Sequence, residues 1–314
     1  GLFASLLIGT ILKTLGQQAG IDVLIEIGTF AQGASGPAMA VAIGYALKCP
    51  PLVLFSLVAV GSAANSLGGA GGPLAVLVIT VFAAEFGKLV SKETKIDIIV
   101  TPSVTICVGI LLAMWWAPSI GAAASAVGNA IMWATDLQPF FMGIAVSVLV
   151  GMALTLPISS AAICAALGLT GLAGGAAVAG CCAQMVGFAV ISFRENRFGG
   201  LISQGIGTSM LQVSNIVKKP IIWLPAILSS AILGPVGTMV FHMTNNATGS
   251  GMGTAGLVGQ IMTWETMIQV EPPMVVLIKI LVIQIILPAV VTLGISEFMR
   301  KKGWIQFGDM KLDL

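Results

Sequence analysis

Charged residues are scarce in this chain of 314 residues: Asp, Glu, Lys and Arg together make up 8% of it. An average soluble domain has about 25%. Between residues 98 and 193 the only charged residue is Asp136, and residues 221–264 contain none. Hydrophobic residues make up 57% of the chain. Because a transmembrane helix needs roughly 20 mostly apolar residues, these long uncharged stretches predict several membrane spans rather than a soluble fold.

The signatures of soluble enzymes and of nucleic-acid-binding proteins are also missing. The sequence has no phosphate-binding loop, no Gly-x-Ser-x-Gly elbow and no Cys-x-x-Cys pair, and its five cysteines lack metal-ligand spacing. The net charge is only +2, and no cluster of Lys and Arg is interleaved with aromatic residues, which argues against nucleic acid as a partner. We therefore expect no catalytic residue, metal or cofactor, and we expect membrane lipid and a small polar solute as partners.

Apolar segments follow one another along the chain, and several are shorter than a full span. We predict an all-α, polytopic integral membrane protein with about ten transmembrane or re-entrant helices. Its 39 glycines concentrate in four clusters, at residues 33–37, 68–73, 174–175 and 249–253. Each cluster indicates either a broken helix near a binding site or close packing between helices.

An internal repeat is indicated by motifs that recur in the same order. FGKLVS at 86–91 returns as FGGLIS at 198–203, and DIIVTP at 97–102 returns as NIVKKP at 215–220. The pattern predicts a single membrane domain over residues 1–314. Within it we expect an internal duplication, with related halves at about 28–135 and 147–251, and flanking helices at 1–20 and 272–299. Many transporters build a solute site at the midplane between two such halves.

The placement of Lys and Arg predicts the orientation in the membrane. Two lysine clusters precede repeat-related spans: Lys88, Lys92 and Lys95 before one, and Lys218 and Lys219 before the other. The positive-inside rule starts both spans in the cytoplasm, which favours parallel halves over inverted ones. By the same rule the carboxyl end, with its run of three cations at 300–302, is cytoplasmic. We expect the sequence RENR at 194–197 to form a cytoplasmic turn with internal charge pairing.

Eight polar residues in or beside the apolar segments are candidate solute ligands, because such groups are costly in hydrocarbon and need partners. They are Glu85, Asp97, Thr101, Asn129, Asn215, His242, Asn245 and Asn246. Carboxylate and amide groups suit a polyol, whose hydroxyls need paired donors and acceptors once they lose water.

Each candidate also has a simpler interpretation. Glu85 is spaced for a helical ion pair with Lys88. Asp97 and Asn215 each precede an apolar run, with Pro five residues further on, and both suit a helix N-cap. His242 ends an uncharged span and can be a satisfied helix-end group. With the neighbouring Asn245 and Asn246, however, it forms the best candidate for contact with a solute.

Three longer motifs resemble a known bacterial family, the membrane subunit IIC of the phosphoenolpyruvate-dependent sugar phosphotransferase system, some members of which are labelled toxin-regulator-like. They are TKIDIIVTP at 94–102, GTSMLQVSNIVKKP at 207–220 and NATGSGMGTAGLVG at 246–259. The resemblance covers nearly the whole chain. It implies a multi-pass permease of the bacterial inner membrane, usually a homodimer, that carries a sugar while a separate cytoplasmic IIB partner phosphorylates it.

The sequence also departs from that family, because we find no IIA or IIB domain and no phosphorylatable Cys or His in a soluble loop. Any phosphotransferase activity would then require the separate IIB protein. A second hypothesis therefore stays open: an ion-gradient-driven carrier of a small solute, or a membrane sensor or regulator, with the IIC architecture and no phosphotransfer.

Overall fold

The computed structural model describes residues 1, 3–135 and 137–312; Asp136, the one charged residue between 98 and 193, lies outside them. The structure is 83% helical, and the described residues form no β-strand, which confirms the all-α class. The α-helices are α1 (Ile8–Ala19), α2 (Asp22–Gly33), α3 (Ser35–Ala46), α4 (Pro51–Gly68), α5 (Gly72–Val90), α6 (Asp97–Thr135), α7 (Pro139–Thr155), α8 (Ser160–Ala166), α9 (Gly171–Ile191), α10 (Phe193–Ile202), α11 (Val213–Lys218), α12 (Leu224–Pro235), α13 (Ala247–Ser250), α14 (Val258–Met267), α15 (Pro273–Ile280) and α16 (Leu287–Lys301).

Several helical stretches are long and apolar enough to cross a membrane. Among the described residues there are five: Pro51–Val90, Asp97–Thr135, Gly171–Ile191, Pro220–Val240 and Pro273–Lys301. The first contains α4 and α5, which are joined by a tight turn at Gly69–Gly71. A multi-pass membrane protein is therefore confirmed, whereas the number of about ten segments and the internal duplication are not confirmed and stay predictions.

The four glycine clusters have different structural roles. Residues 33–37 lie where α2 ends and α3 begins, 68–73 lie at the turn between α4 and α5, and 249–253 lie where α13 ends. These three clusters mark helix breaks, and a binding site near them stays a prediction. Residues 174–175 instead lie inside the continuous helix α9, where they allow neighbouring backbone to approach closely.

The chain forms two compact units, Gly1–Ala126 and Val127–Leu314. In the first unit α3 and α4 pack as an antiparallel pair. A Cβ atom on Gly36 would lie 2.5 Å from the carbonyl oxygen of Gly61, so only glycine permits this approach. The core of this unit consists of small and branched apolar side chains from α3 to α6, including Ala40, Leu57, Val60, Val76, Ile79 and Ala113.

The second unit is built around α9, which is almost entirely buried. Helices α7, α12 and α16 pack around it. Small residues make this possible, because the backbone of α7 at Ser147 touches Gly180 of α9, and the Ser147 hydroxyl donates to the Ser230 carbonyl of α12 at 2.7 Å. Helix α9 is therefore the central helix of the second unit, and the neighbouring segments pack along its length.

Candidate functional site

Residues 243–267 of the second unit form a helical hairpin against α9. The backbone of Asn245 bridges to Gly171, the first residue of α9. Further along, the Thr254 hydroxyl donates to the Met185 sulfur at 3.6 Å, past the middle of α9. Helix α14 then runs back, so that Thr263 again lies beside Asn245. The hairpin enters and leaves at the same end of α9, which is the geometry of a re-entrant segment.

Buried polar side chains of this hairpin, together with Gln284 from the helical segment Leu281–Ile286, form a group that we call the amide cluster: Asn245, Gln260, Thr263 and Gln284. The Asn245 amide donates to the Thr263 hydroxyl at 3.1 Å, and the Gln284 amide donates to the same hydroxyl at 2.8 Å. The Gln260 amide donates to the Cys182 sulfur of α9 at 3.4 Å. Asn245, Thr263 and Gln284 are fully buried, and Gln260 is 8% exposed.

Two acceptors of the amide cluster are not used. The Oε1 atoms of Gln260 and Gln284 are buried and have no hydrogen-bond partner among the described residues. A buried carbonyl oxygen without a donor costs about 1–3 kcal/mol. A ligand that brings hydroxyl or amide donors to these two oxygens would recover this cost.

A second group of buried polar side chains, the hydroxyl cluster, consists of Thr155, Gln184, Ser209 and Ser230. The Thr155 hydroxyl is 2.8 Å from that of Ser209 and donates to Gln184 Oε1 at 3.2 Å. The Trp223 indole N–H donates to the same Oε1 at 2.8 Å, and the Gln184 amide donates to the Ser230 hydroxyl at 3.4 Å. Every member of this cluster is fully buried.

The hydroxyl cluster lies where α7 ends, and the chain after it forms a second broken segment. Between α7 and α9 lies helix α8, which has only seven residues. The Ser160 hydroxyl at its start donates to the Gly251 carbonyl of the hairpin at 2.8 Å. Two interrupted segments therefore meet beside the middle of α9, and all eight side chains of the two clusters are neutral. Neutral hydrogen-bonding side chains of this kind suit an uncharged polar solute.

The predicted ligands of the first unit are used in local structure. Glu85 forms the expected ion pair with Lys88, at 2.6 Å. Asp97 is the first residue of α6, and its carboxylate accepts from the Lys92 backbone N–H at 2.7 Å and from the Thr101 hydroxyl at 2.5 Å. Thr101 is fully buried. These contacts close the turn before α6, and a role in solute binding stays a prediction for all three.

The predicted ligands of the second unit lie on different elements and differ in burial. Asn245 belongs to the amide cluster, and the Asn246 side chain caps α13 by accepting from the N–H groups of Thr248 and Gly249. His242 is exposed and has a left-handed backbone with φ +46°. Asn129 is exposed on α6. The structure brings Asn245 and Asn246 together, and their role in solute binding stays a prediction.

Asn215 lies at the other end of the second unit. It is the third residue of α11, and its amide donates to Gln212 Oε1 and to the Lys311 carbonyl, both at 2.9 Å. The expectation that it caps the following span is wrong, because Lys218 ends α11 and the next helical segment begins at Pro220. Its side chain instead binds the backbone of residues 302–312, which follow α16 and which we call the carboxyl-terminal segment.

Charged residues gather at this same end, where α9 and α16 both finish. The Arg300 guanidinium donates to Glu195 Oε1 at 2.9 Å, and Arg194 pairs with Glu297 at 3.2 Å. The expected internal pairing within residues 194–197 is therefore wrong, because α16 brings closer partners to both side chains.

The carboxyl-terminal segment adds a third ion pair. Lys219 lies 2.6 Å from Asp309. Burial acts to raise the pKa of the Asp309 carboxyl, but hydrogen bonds from Lys219 and the Gln306 N–H together outweigh it and hold that pKa below its usual value.

Sequence reasoning missed the glutamines. Gln184, Gln260 and Gln284 all lie in uncharged apolar stretches, where any polar group needs a partner. The rule that selected the asparagines would have selected these residues as well.

Comparison with known proteins agrees with this architecture. The family model described as "Phosphotransferase system, EIIC" matches residues 1–312. Neither the curated proteins nor the solved structures give a significant match. Because the family model covers nearly all of the sequence, the chain belongs to the EIIC family of the phosphotransferase system and is a membrane permease of that type.

Proposed function

We propose that this permease moves a neutral sugar across the membrane and that the amide cluster forms part of its solute site. The observation that carries the proposal is the pair of buried, unpartnered acceptors at Gln260 and Gln284. Sugar hydroxyls are donors that would satisfy these acceptors, and the loss of their hydration would be compensated by the new hydrogen bonds. The neutral hydroxyl cluster offers further partners of the same kind.

The hairpin is suited to control access to this site. Irregular backbone at residues 241–246 separates it from the preceding helical stretch, and its turn contains Gly253, Gly256 and Leu257 with positive φ. Non-helical backbone at membrane depth is tolerated where it is buried in protein or lines a cavity. We propose that movement of the hairpin away from α9 opens the amide cluster to the solute.

The charge distribution supports a proposal for which end of the second unit is cytoplasmic. Eight of the nine Lys and Arg residues in the second unit lie at the end where α9 and α16 finish, and only Lys279 lies elsewhere. By the positive-inside rule this end faces the cytoplasm. The family membership supports a separate cytoplasmic IIB partner, which would meet the permease there. We also propose that the permease is a homodimer in the bacterial inner membrane.

The test is transport by the protein in liposomes with a matching IIB and the other phosphotransferase proteins. We expect sugar phosphate to form from one member of a panel of labelled neutral sugars, and only with phosphoenolpyruvate. Gln284→Met should weaken the apparent sugar affinity about 3- to 10-fold, the loss of one neutral hydrogen bond. Gln204→Met is the matched control, because Gln204 is equally buried but bonds Ser192 at the cytoplasmic end.

Two outcomes would count against the proposal. If no sugar in a broad panel is phosphorylated and uptake instead follows a sodium or proton gradient, the second hypothesis of a gradient-driven carrier is correct. If Gln204→Met weakens affinity as much as Gln284→Met, the amide cluster has no specific role in binding.

A further inference from the structure

A cavity of about 450 Å³ opens at the cytoplasmic end of the second unit, in addition to the two polar clusters. One wall is α11 with the lysine that follows it, and the other is the carboxyl-terminal segment. The polar residues that line it are Ser214, Asn215, Lys218, Lys219, Asp309 and Lys311. Its volume is within the usual range of small-ligand sites, about 300–1,000 Å³.

The wall made by the carboxyl-terminal segment is held in place by side-chain amides that bind its backbone. Asn196 donates to the Met310 carbonyl at 2.8 Å and accepts from the Leu312 N–H at 2.8 Å. Gln212 donates to the same Met310 carbonyl at 3.0 Å, and Asn215 donates to the Lys311 carbonyl. The Met310 side chain is fully buried. These bonds hold Lys311 opposite α11, so both walls of the cavity have defined positions in the fold.

The charges that line the cavity are unbalanced. It contains three lysines and one aspartate, which gives a net charge of +2 at neutral pH. The aspartate is already engaged, because Asp309 bonds Lys219 and accepts from the Gln306 N–H at 2.6 Å. Lys218 and Lys311 have no acidic partner among the described residues.

The uncharged lining adds one hydroxyl group to these two cations. Ser214 is exposed, whereas both N–H groups of the Asn215 amide already donate to Gln212 Oε1 and to the Lys311 carbonyl. Two ammonium groups and a hydroxyl around one space match the oxygens of a phosphate group, for which lysine is a common ligand.

We propose that this cavity binds a phosphate ester, held by Lys218 from α11 and Lys311 from the carboxyl-terminal segment. The phosphate belongs either to an anionic phospholipid headgroup or to a small soluble molecule. Basic cavities at the cytoplasmic ends of membrane helices attract anionic headgroups, and the lysine-rich end of this unit provides that setting. The ligand would join the two walls of the cavity. Its binding does not depend on which solute the permease moves.

The experiment uses the full-length protein in nanodiscs. Native mass spectrometry measures retention of phosphatidylglycerol relative to phosphatidylcholine, and calorimetry measures binding of glycerol 3-phosphate as the soluble probe. The double variant Lys218→Gln, Lys311→Gln should lower the affinity for the bound probe about tenfold or more. The control pair Lys301→Gln, Lys302→Gln removes the same charge from exposed positions outside the cavity and should change it by less than about twofold.

The outcomes separate the two sources. Binding of glycerol 3-phosphate identifies a soluble phosphate ester, and selective retention of phosphatidylglycerol identifies a lipid headgroup. If neither probe binds, or if the control pair reduces binding as much as the cavity pair, the proposal is overturned.

A measurement on the unsubstituted protein covers the case in which a variant fails to fold. An amine-specific reagent should label Lys218 and Lys311 more slowly when the bound probe is present, while labelling of the exposed Lys301 stays constant. Equal labelling of Lys218 and Lys311 with and without the probe would also overturn the proposal.

Discussion

Replacing Arg300 by methionine is expected to destabilise the second unit by about 3–5 kcal/mol, the cost of leaving a buried charge without its partner. The Arg300 and Glu195 side chains are 9% and 1% exposed. Arg300 donates to Glu195 Oε1 at 2.9 Å and to the Ile191 carbonyl at 3.1 Å. The pair therefore joins α16 to the carboxyl end of α9 and to α10.

The magnitude follows from what Glu195 keeps once the guanidinium is gone. Its Oε2 already has no partner among the described residues, and its Oε1 would retain only the Gly308 N–H at 3.4 Å. Methionine fills most of the volume of the arginine, so the loss is electrostatic rather than a packing defect. Adding Glu195→Gln removes the unpaired charge, and the double variant should lose only about 1–2 kcal/mol in total.

The assay is a double-mutant cycle, measured by reversible unfolding in mixed micelles with tryptophan fluorescence as the signal. Arg194→Met is the matched control, because Arg194 and Glu297 are 60% and 33% exposed and their pair should contribute less than about 1 kcal/mol. If Arg300→Met costs no more than Arg194→Met, or if the double variant is no more stable than Arg300→Met alone, the argument that this pair is buried and coupled is refuted.

Three further predictions concern the hairpin and the carboxyl-terminal segment. Asn246→Ala removes both cap bonds of α13 and should lower the free energy of unfolding by about 1 kcal/mol in the same assay. Gly175→Ala places a methyl group against the Met243 carbonyl oxygen and should cost about 1–3 kcal/mol, because the hairpin must shift. Because the pKa of Asp309 is lowered, the Lys219 pair should protect the carboxyl-terminal segment from proteolysis above about pH 4 and lose this effect as the pH falls further.

Each of these predictions has a control. Asn246→Ser keeps a capping oxygen and should stay within a few tenths of a kcal/mol of the unsubstituted protein, so equal losses for serine and alanine would contradict the cap. Gly294→Ala adds its methyl group where nothing lies within 4 Å, and a loss as large as that of Gly175→Ala would contradict the steric argument. Asp309→Asn should make proteolysis of the segment insensitive to pH between about 3 and 6, and unchanged pH dependence would point to another group.

Hydropathy made the helical membrane class predictable, because an uncharged run such as residues 221–240 satisfies its backbone groups in hydrocarbon by forming a helix. The ion pair of Glu85 with Lys88 was predictable for a related reason. Both partners lie on one helix three residues apart, so their contact depends on local geometry alone.

Contacts between distant residues could not be predicted in this way. Asp97 and Asn215 look equivalent in sequence, since each precedes an apolar run with Pro five residues further on. Asp97 bonds only to its neighbours Lys92 and Thr101, whereas Asn215 binds the backbone of residue 311, which lies 96 positions away. Pairings of the second kind depend on how the helices reverse and pack, and local sequence carries no information about that.

In the second unit the ionised side chains and the buried neutral amides lie in different places, and this separation bears on which solute the protein can bind. Ionised side chains such as Glu195 and Arg300 lie at the end where α9 and α16 finish, whereas Gln184 and Gln284 lie in the apolar stretches and are neutral. A charge in that position would need a permanent partner, since the desolvation of an unpaired ion costs several kcal/mol. An amide can exchange a hydrogen bond with protein for one with a ligand at a net change of only about 1 kcal/mol. Neutral amides can therefore bind and release an uncharged polyol, whereas an anionic solute would meet no countercharge in either cluster.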